Sequence, residues 1–366
     1  MVTEHEAMGR AIALAARGLG TTSPNPVVGC LLLSPDGEVV GEGFHAYAGG
    51  PHAEIVALAQ AGQRAKGGTA IVTLEPCNHT GRTGPCSRAL IAAGVHRVVI
   101  AVDDPTTVAA GGTATLRAAG VQVETGFRRD EAEEGNAAWL TAVRRGRPHL
   151  TWKYAATLDG RSAAADGTSQ WITSAPARSD VHVLRGTVDA IIAGVGTVIA
   201  DDPQLTVRDL RDGTLAIRQP LRVVVDSGGR TPATARVRDN TAPTWIATTA
   251  ELGSGPDGRT DLSALMTALY ERGVRAALLE GGPTLAGAFL AAGLVDKVIG
   301  YIAPKLLGAG RAALLDAGVA TIAEALELDL TDLTRIGPDL RFSASLRQKP
   351  SDHPAHHHPR VERGQT

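Results

Sequence analysis

Short runs of Val, Ile and Leu alternate with Ala- and Leu-rich stretches of helical period along almost the whole chain. Apolar runs of roughly 4–8 residues read as buried strands and the longer stretches as helices that cover them, so the pattern predicts α/β layers, not a bundle or a sandwich. In the first half the expected strands are Val27–Ser34, Val39–His45, Ala70–Pro76, Arg97–Asp104 and Val121–Phe127, with helices beginning near Met8, His52, Cys86, Thr113 and Arg129. In the second half they are His149–Thr157, Asp189–Val195, Leu221–Asp226, Thr244–Thr249, Ala276–Glu280, Lys297–Ala303 and Arg341–Leu346, with helices over Ala175–Arg185, Leu262–Arg272 and Thr284–Ala292. Gly, Pro, Arg and Thr dominate Asp226–Gly258, which predicts loops, and the polar tail from Ser351 predicts disorder. The segment Arg144-Arg145-Gly146-Arg147-Pro148 joins charge, a glycine and a proline just before a new strand, which places a domain boundary near Arg147. The expected units are therefore 1–147, 148–347 and a tail, 348–366.

Length agrees with two units, since 366 residues are more than twice the ~150 of a typical domain. With 43% hydrophobic and 20% charged residues and a net charge of −2, the chain has the composition of a globular protein and lacks the basic excess and aromatic faces of a nucleic-acid binder. The longest uncharged apolar stretch, Ala190 to Ala200, falls far short of the ~18–20 residues needed to cross a bilayer. No basic segment followed by an apolar one opens the chain, so the cytoplasm is the expected location. Three cysteines, Cys30, Cys77 and Cys86, make a disulfide framework a poor reading and direct attention to metal chemistry.

Two of those cysteines keep telling company. Pro51-His52-Ala53-Glu54 opens a helical pattern, Glu75-Pro76-Cys77 ends a strand, and Cys86 begins the next helical run. One imidazole and two thiolates make three ligands, and three protein ligands leave a zinc ion a place for a water whose pKa it draws toward neutrality. A cysteine near a helix N-terminus is also biased toward the thiolate that binds zinc. Glu54, two residues beyond His52, is placed to take a proton from that water and return it to a leaving amine, which is hydrolytic deamination. His-x-Glu followed by Pro-Cys is the zinc deaminase pattern, but here eight residues separate Cys77 from Cys86 instead of two. That interval, Asn78 to Pro85, is polar and carries one cation, Arg82, where a substrate phosphate could dock. Cys30 lies in the apolar run Val27–Leu32 and reads as a buried strand thiol.

Together with Pro24-Asn25-Pro26-Val27-Val28-Gly29-Cys30 and Gly43-Phe44-His45, these motifs resemble the deaminase half of the bifunctional riboflavin-biosynthesis deaminase/reductase family (RibD/RibG), over most of residues 5–147. The resemblance implies a cytidine-deaminase-like α/β/α domain in which Asn25, His45, His79 and Arg82 hold the pyrimidine and the ribose phosphate. One departure stands out: after the fourth strand the family usually reads Asp-Pro-Asn-Pro, whereas this chain reads Asp104-Pro105-Thr106-Thr107. A hydroxyl replaces an amide that offers both a donor and an acceptor, so deaminase rate or selectivity is expected to differ while the metal chemistry is not.

In the second unit Ala276 to Leu285 runs from a strand through Gly281-Gly282 into a helix, an arrangement suited to a diphosphate. Lys153 to Gly160, Thr168 to Thr173 and Gly194 to Pro203 are similar to the reductase half of the same family, over about residues 148–346. That resemblance implies a dihydrofolate-reductase-like α/β domain that uses NADPH. It places Ala155, Trp171, Thr197, Asp201, Ser227 and the turn Gly282-Pro283-Thr284-Leu285-Ala286-Gly287-Ala288 along the dinucleotide. Ser169, Arg185, Leu205, Arg208 and Glu280 would face the substrate, with Arg185 and Arg208 clamping its phosphate. The GxGxxA pattern at Gly308–Ala313 has no first βα unit around it and is set aside.

The function expected is zinc-dependent deamination of a diaminopyrimidine ribosyl phosphate, followed by NADPH-dependent reduction of the ribosyl group to ribityl. The partners expected are small phosphoribosyl pyrimidines, with no nucleic acid and no membrane, and with homo-oligomer formation open. Two rivals remain: a nucleoside or tRNA-base zinc deaminase fused to an unrelated nucleotide-binding domain, against which the cysteine spacing weighs, and a zinc-stabilised binding module, which would need a fourth ligand.

Overall fold

The chain is described by a computed structural model covering residues 1–80, 84–209 and 211–347. Helix α1 (Glu4–Ala16) begins at a capping box, Thr3 accepting from the Glu6 N–H while the Glu6 carboxylate accepts from the Thr3 N–H. There follow β1 (Gly29–Leu33), β2 (Val39–Phe44), α2 (Ala53–Ala61), β3 (Thr69–Leu74), α3 (Cys86–Ala92), β4 (Arg97–Val102), α4 (Gly112–Ala118), β5 (Gln122–Thr125), α5 (Arg129–Gly135) and α6 (Ala137–Arg145). The five strands form one sheet in the order β2-β1-β3-β4-β5, with β1 antiparallel to both neighbours and β3, β4 and β5 parallel.

Side chains of period 2 divide this sheet between two helical layers. Cys30, Leu32, Val98 and Ile100 point to Ala53, Ala57, Leu90 and Leu116 of α2, α3 and α4. Leu31, Leu33, Val99 and Ala101 point to Ala7, Met8, Ala11, Trp139 and Leu140 of α1 and α6. A β-carbon on Gly43 would lie 2.2 Å from the Ala53 carbonyl oxygen, so glycine lets the first turn of α2 rest directly on β2. That close approach sets the position of His52 and Glu54.

The second unit contains β6 (His149–Thr157), α7 (Ala175–Gly186), β7 (Ala190–Gly194), α8 (Val195–Asp201), β8 (Leu221–Val225), β9 (Thr244–Ala247), α9 (Thr249–Leu252), α10 (Leu262–Glu271), β10 (Ala276–Leu279), α11 (Pro283–Ala291), β11 (Lys297–Ala303), β12 (Leu328–Ile336) and β13 (Asp339–Leu346). Its sheet runs β12-β13-β11-β6-β10-β7-β8-β9, parallel from β11 to β9 and closed at the other side by the antiparallel β13 and β12. Helices α10 and α11 cover one face through Leu265, Met266, Leu269, Ala286, Phe289 and Leu290.

Strand β12 is absent from the sequence expectation, and so is the break between α5 and α6. Leu328, Leu330 and Leu333 alternate with polar residues only up to an irregularity between Leu330 and Asp332, and the strand is exposed along most of its length. Gly308 and Gly310 lie in irregular chain, in keeping with the rejected dinucleotide pattern. The expected disordered tail and Arg82 fall outside the described residues. No helix among the described residues is long and apolar enough to cross a membrane.

The two units meet through specific polar contacts. Ser23 Oγ donates to Asp189 Oδ2 at 2.8 Å, and Arg145 and Arg147 both grip Asp296. A β-carbon on Gly20 would lie 2.1 Å from the Gly186 carbonyl oxygen, so the loop leading to Asn25 abuts the end of α7.

Candidate active sites

His52 is the N-cap of α2 and Cys86 the first residue of α3, while Cys77 follows β3 by three residues. His52 Nδ1 lies 3.3 Å from Cys86 Sγ and 3.5 Å from Cys77 Sγ, and the Cys86 N–H donates to Cys77 Sγ at 3.4 Å. Zinc bonds of about 2.05 Å to nitrogen and 2.3 Å to sulfur at the tetrahedral angle separate the two ligands by about 3.6 Å, so the triad fits the ion. These three are brought within 4.8 Å of one another by segments spread over 35 positions.

The electrostatics are those of a site short of positive charge. The Cys77 thiol is pulled down to about 4 by a hydrogen bond from Cys86 together with His52, while that same bond and burial hold Cys86 as a thiol far above its usual range. Burial pushes Glu54, only 3% exposed, up to about 7. A dication relieves all three at once.

Around the triad, His45 is buried and its Nδ1 lies 3.0 Å from the Pro51 carbonyl oxygen, which fixes the proton there and leaves Nε2 to accept from Asn25 Nδ2 at 3.2 Å. Asn25 then keeps its amide oxygen for a ligand. His79 Nδ1 is buried with no hydrogen-bond partner among the described residues, an orphan that a polar ligand would satisfy. Arg82 lies outside the described residues. Thr106 turns inward on its own loop, its hydroxyl donating to Asp104 Oδ1 at 2.6 Å.

Glu75 is a residue to which the sequence reading assigned no role. Its carboxylate accepts from the backbone N–H groups of Asp104, Gly111 and Thr113 at 3.2, 3.3 and 2.8 Å, tying residues 104–113 to the segment that leads from β3 to Cys77. A carboxylate next to the Pro-Cys pair was the available signal.

The second site lies where β6, β10, β7 and β8 end side by side, the edge at which parallel sheets bind ligands. Arg185 on α7 donates from Nε to Glu280 Oε1 at 2.5 Å and from NH2 to Oε2 at 3.1 Å, and Lys153 Nζ lies 3.0 Å from Glu280. Burial opposes the charge on Glu280, but Arg185 and Lys153 hold its carboxyl well below the usual range. Arg185 NH1 also donates to the Thr206 carbonyl oxygen at 3.0 Å. Three of its five N–H groups are thus engaged inside the protein, and one each on NH1 and NH2 has no partner among the described residues. Lys153 stood in a quoted motif without a role, and only the fold brings it to Glu280.

Arg208 is different. Among the described residues its side chain is anchored through NH1 alone, to Thr206 Oγ1 and Gln204 Oε1 at 3.0 and 3.4 Å, and burial with Arg185 and Arg236 nearby lowers its pKa, a crowding that an anion would relieve. Leu205 is buried with φ +52°, so only its backbone can face a ligand.

For the dinucleotide, Gly282 caps α11 and its N–H donates to Thr197 Oγ1 at 3.1 Å, while Ser169 Oγ donates to Asp201 Oδ1 at 3.2 Å. A β-carbon on Gly196 would meet nothing within 4 Å, leaving an open cradle beside the first turn of α11, whose N–H groups suit a diphosphate. Within the turn Pro283, Ala286 and Gly287 are buried, and Thr284, Leu285 and Ala288 remain accessible. Ser227 Oγ lies 3.0 Å from Thr260 Oγ1, and Ala155 packs beside Ile299 and Tyr301. Trp171 is 63% exposed, stacked under the Arg178 guanidinium at 4.4 Å.

Comparison with known proteins covers both sites. Residues 1–102 match the cytidine and deoxycytidylate deaminase zinc-binding region, and residues 148–342 match the RibD C-terminal domain. The riboflavin biosynthesis protein RibD of Mycobacterium tuberculosis is 48% identical over 344 residues, covering 93% of this chain and 97% of its own. That of Escherichia coli is 46% identical over 355 residues, covering 91% and 96%. Among solved structures, Acinetobacter baumannii RibD superposes with a TM-score of 0.85 at 42% identity, over 94% of this chain and 99% of that one. A diaminohydroxyphosphoribosylaminopyrimidine deaminase/5-amino-6-(5-phosphoribosylamino)uracil reductase from Thermotoga maritima superposes at 0.84 with 34% identity, again over 94% and 99%.

Proposed function

The chain belongs to the bifunctional riboflavin-biosynthesis deaminase/reductase family, and on that premise we propose how its residues divide the two reactions. It is an enzyme that hydrolytically deaminates diaminohydroxyphosphoribosylaminopyrimidine and reduces 5-amino-6-(5-phosphoribosylamino)uracil to its ribityl form, with zinc and NADPH as cofactors. The fold is a cytidine-deaminase-like α/β/α domain followed by a dihydrofolate-reductase-like α/β domain.

Residues 1–147 carry the deamination and 148–347 the reduction, a division supported by two sheets that share no strand. His52, Cys77 and Cys86 hold the zinc, which supplies a water activated near neutral pH. Glu54, buried against Cys86 and poised near pH 7, moves the proton from the attacking water to the departing amine. Asn25, His45 and His79 orient the pyrimidine, with Arg82 assigned to the phosphate. The neutral His45 keeps Asn25 in one orientation, so the amide oxygen is aimed before substrate arrives.

In the reductase half NADPH supplies the hydride, bound along Ala155, Trp171, Thr197, Asp201, Ser227 and the α11 turn. Glu280, kept ionised between Arg185 and Lys153, accepts a hydrogen bond from a ribosyl hydroxyl. Ser169, the Leu205 backbone and Arg208 complete the substrate site, with Arg208 taking the phosphate. The observation that carries the whole reading is a zinc-sized His-Cys-Cys triad with a buried glutamate, in one chain with the Lys153–Glu280–Arg185 cluster.

The enzyme works in the cytoplasm, a placement supported by a metal site built on reduced thiols. It self-associates, a reading supported by Leu328, Leu330, Leu333 and Leu340, which lie on one face of β12 and β13 and are 41 to 61% exposed. Sedimentation at increasing concentration tests this, a lone 37.8 kDa species throughout counting against it.

The decisive assay follows ammonia release from the diaminopyrimidine substrate and NADPH oxidation in one cuvette, with a chelated control. Zinc-dependent ammonia followed by NADPH loss is expected. NADPH loss only when the deaminated compound is supplied would overturn the deaminase assignment.

A further inference from the structure

His182 lies on α7 one turn before Arg185, and its ring is buried, only 8% of the residue being exposed. It belongs to no motif that carries either reaction. Its Nδ1 is 3.3 Å from the backbone nitrogen of Arg208 and accepts that N–H. The contact requires a neutral ring protonated at Nε2, because a proton on Nδ1 would face the Arg208 N–H. The surroundings enforce neutrality: burial first, then the Arg185 and Arg208 cations, outweigh Glu280 and push the imidazole down to about 4. His182 also lines an open cavity of about 750 Å³ together with Ser179, Asp209, Arg211 and Asp212.

The segment that carries Arg208 is thereby held at two points. Arg185 NH1 takes the Thr206 carbonyl oxygen, and His182 takes the Arg208 N–H two residues later. The Arg208 side chain leans back on Thr206 Oγ1 and Gln204 Oε1 through NH1, and its Nε and NH2 have no partner among the described residues. Arg185 is paired with the Glu280 carboxylate through Nε and NH2 and bonds the Thr206 carbonyl oxygen through NH1, whereas Arg208 has no carboxylate partner among the described residues, which makes Arg208 the less committed cation for an anion in this part of the site.

We propose that His182 is a positioning residue for Arg208, and that through Arg208 it sets the reductase's preference for a phosphorylated over an unphosphorylated ribosyl substrate. This rests on the reading that Arg208 receives the substrate phosphate. With the anchor removed, Arg208 keeps its charge but loses its place, and a bidentate contact with phosphate depends on place.

The test compares reductase kinetics on the 5-phosphoribosylaminouracil and on its dephosphorylated form, using wild type, His182→Ala, His182→Asn and Arg208→Ala. Deaminase turnover and melting temperature in each preparation report folding. A hydrogen bond to an ionic partner corresponds to about 10- to 100-fold in affinity, so Arg208→Ala is expected to raise KM for the phosphorylated substrate by that factor. His182→Ala is expected to raise the same KM roughly tenfold, leaving kcat within about twofold and the dephosphorylated substrate unaffected. The carbonyl oxygen of asparagine can stand in for Nδ1, so His182→Asn restores most of the loss. Equal effects of His182→Ala on both substrates, or none on either while Arg208→Ala discriminates, would overturn the positioning role. An Arg208→Ala variant that keeps the phosphate preference would overturn the underlying assignment instead.

Discussion

The two sites of this enzyme handle buried charge in opposite ways. Around His52, Cys77 and Cys86 the charges are left uncompensated: a thiolate, a thiol held far from ionising and a glutamate raised to about 7 share one small volume. Around Glu280 they are already balanced, a carboxylate gripped by Arg185 and Lys153. The first site is complete only with a cation, and the second holds its electrostatic shape without one. A metal-dependent reaction and a hydride transfer thus impose different demands on the protein, although both sites sit at the carboxyl ends of parallel strands beside helix N-termini.

The sharpest way to break this contrast is to remove zinc. Chelation is expected to abolish ammonia release completely and to leave NADPH oxidation of the deaminated substrate unchanged. A parallel fall in both activities would show that the second site also depends on the metal.

Next in size is Glu54→Gln, which keeps the shape and removes the carboxylate proposed to carry the proton. Deaminase kcat is expected to fall roughly 10²- to 10⁴-fold with zinc content retained by metal analysis and reductase rate unaltered. Retained turnover would move the proton chemistry to another group.

Glu280→Gln probes the balanced site. It leaves Arg185 and Lys153 buried around a neutral amide, and breaking a buried ion pair costs about 3–5 kcal/mol. The reductase transition in thermal unfolding is expected to move down by an amount that Glu54→Gln does not approach. A neutral effect on stability would mean that the cluster is wetter than its 7% exposed carboxylate implies.

The smallest effect concerns pH. His182 has a folded pKa near 4, below the ~6.5 of an unfolded histidine, so the unfolded chain binds the extra proton first. Its contribution to stability is fully present above about pH 6.5 and is lost as pH falls toward 4. Denaturant titrations across that window are expected to show a shallower slope for His182→Asn than for wild type. Identical slopes would mean that His182 does not titrate in this range.

The same contrast governs what could be read in advance. The zinc ligands lie in three short segments, each at a helix start or strand end, and their residue types admit few other uses. Glu54 follows from His52 because one helical turn fixes their relation. The reductase residues carry no such local grammar. Arg185 and Glu280 are separated by 95 positions and meet only because α7 packs beside the end of β10. The resemblance places Arg185 at the substrate, and only the fold shows that three of its N–H groups go to Glu280 and Thr206. Strand β12 escaped for a related reason: an exposed edge strand with an irregularity lacks the continuous apolar run by which buried strands are recognised.

By itself, then, the sequence determined the α/β layering, the grouping of His52, Cys77 and Cys86 as a candidate metal cluster, and Cys30 as a buried strand thiol. These depend on periodicity and on the residue types carried at helix starts and strand ends. The tertiary structure alone decided that Glu75 ties residues 104–113 to the segment that leads from β3 to Cys77, that Lys153 reaches Glu280, and that His182 holds Arg208. Each of these is a contact between distant segments, set by how whole elements pack, and hydrogen bonds of about 3 Å cannot be inferred from residue types whose partners lie tens of positions away.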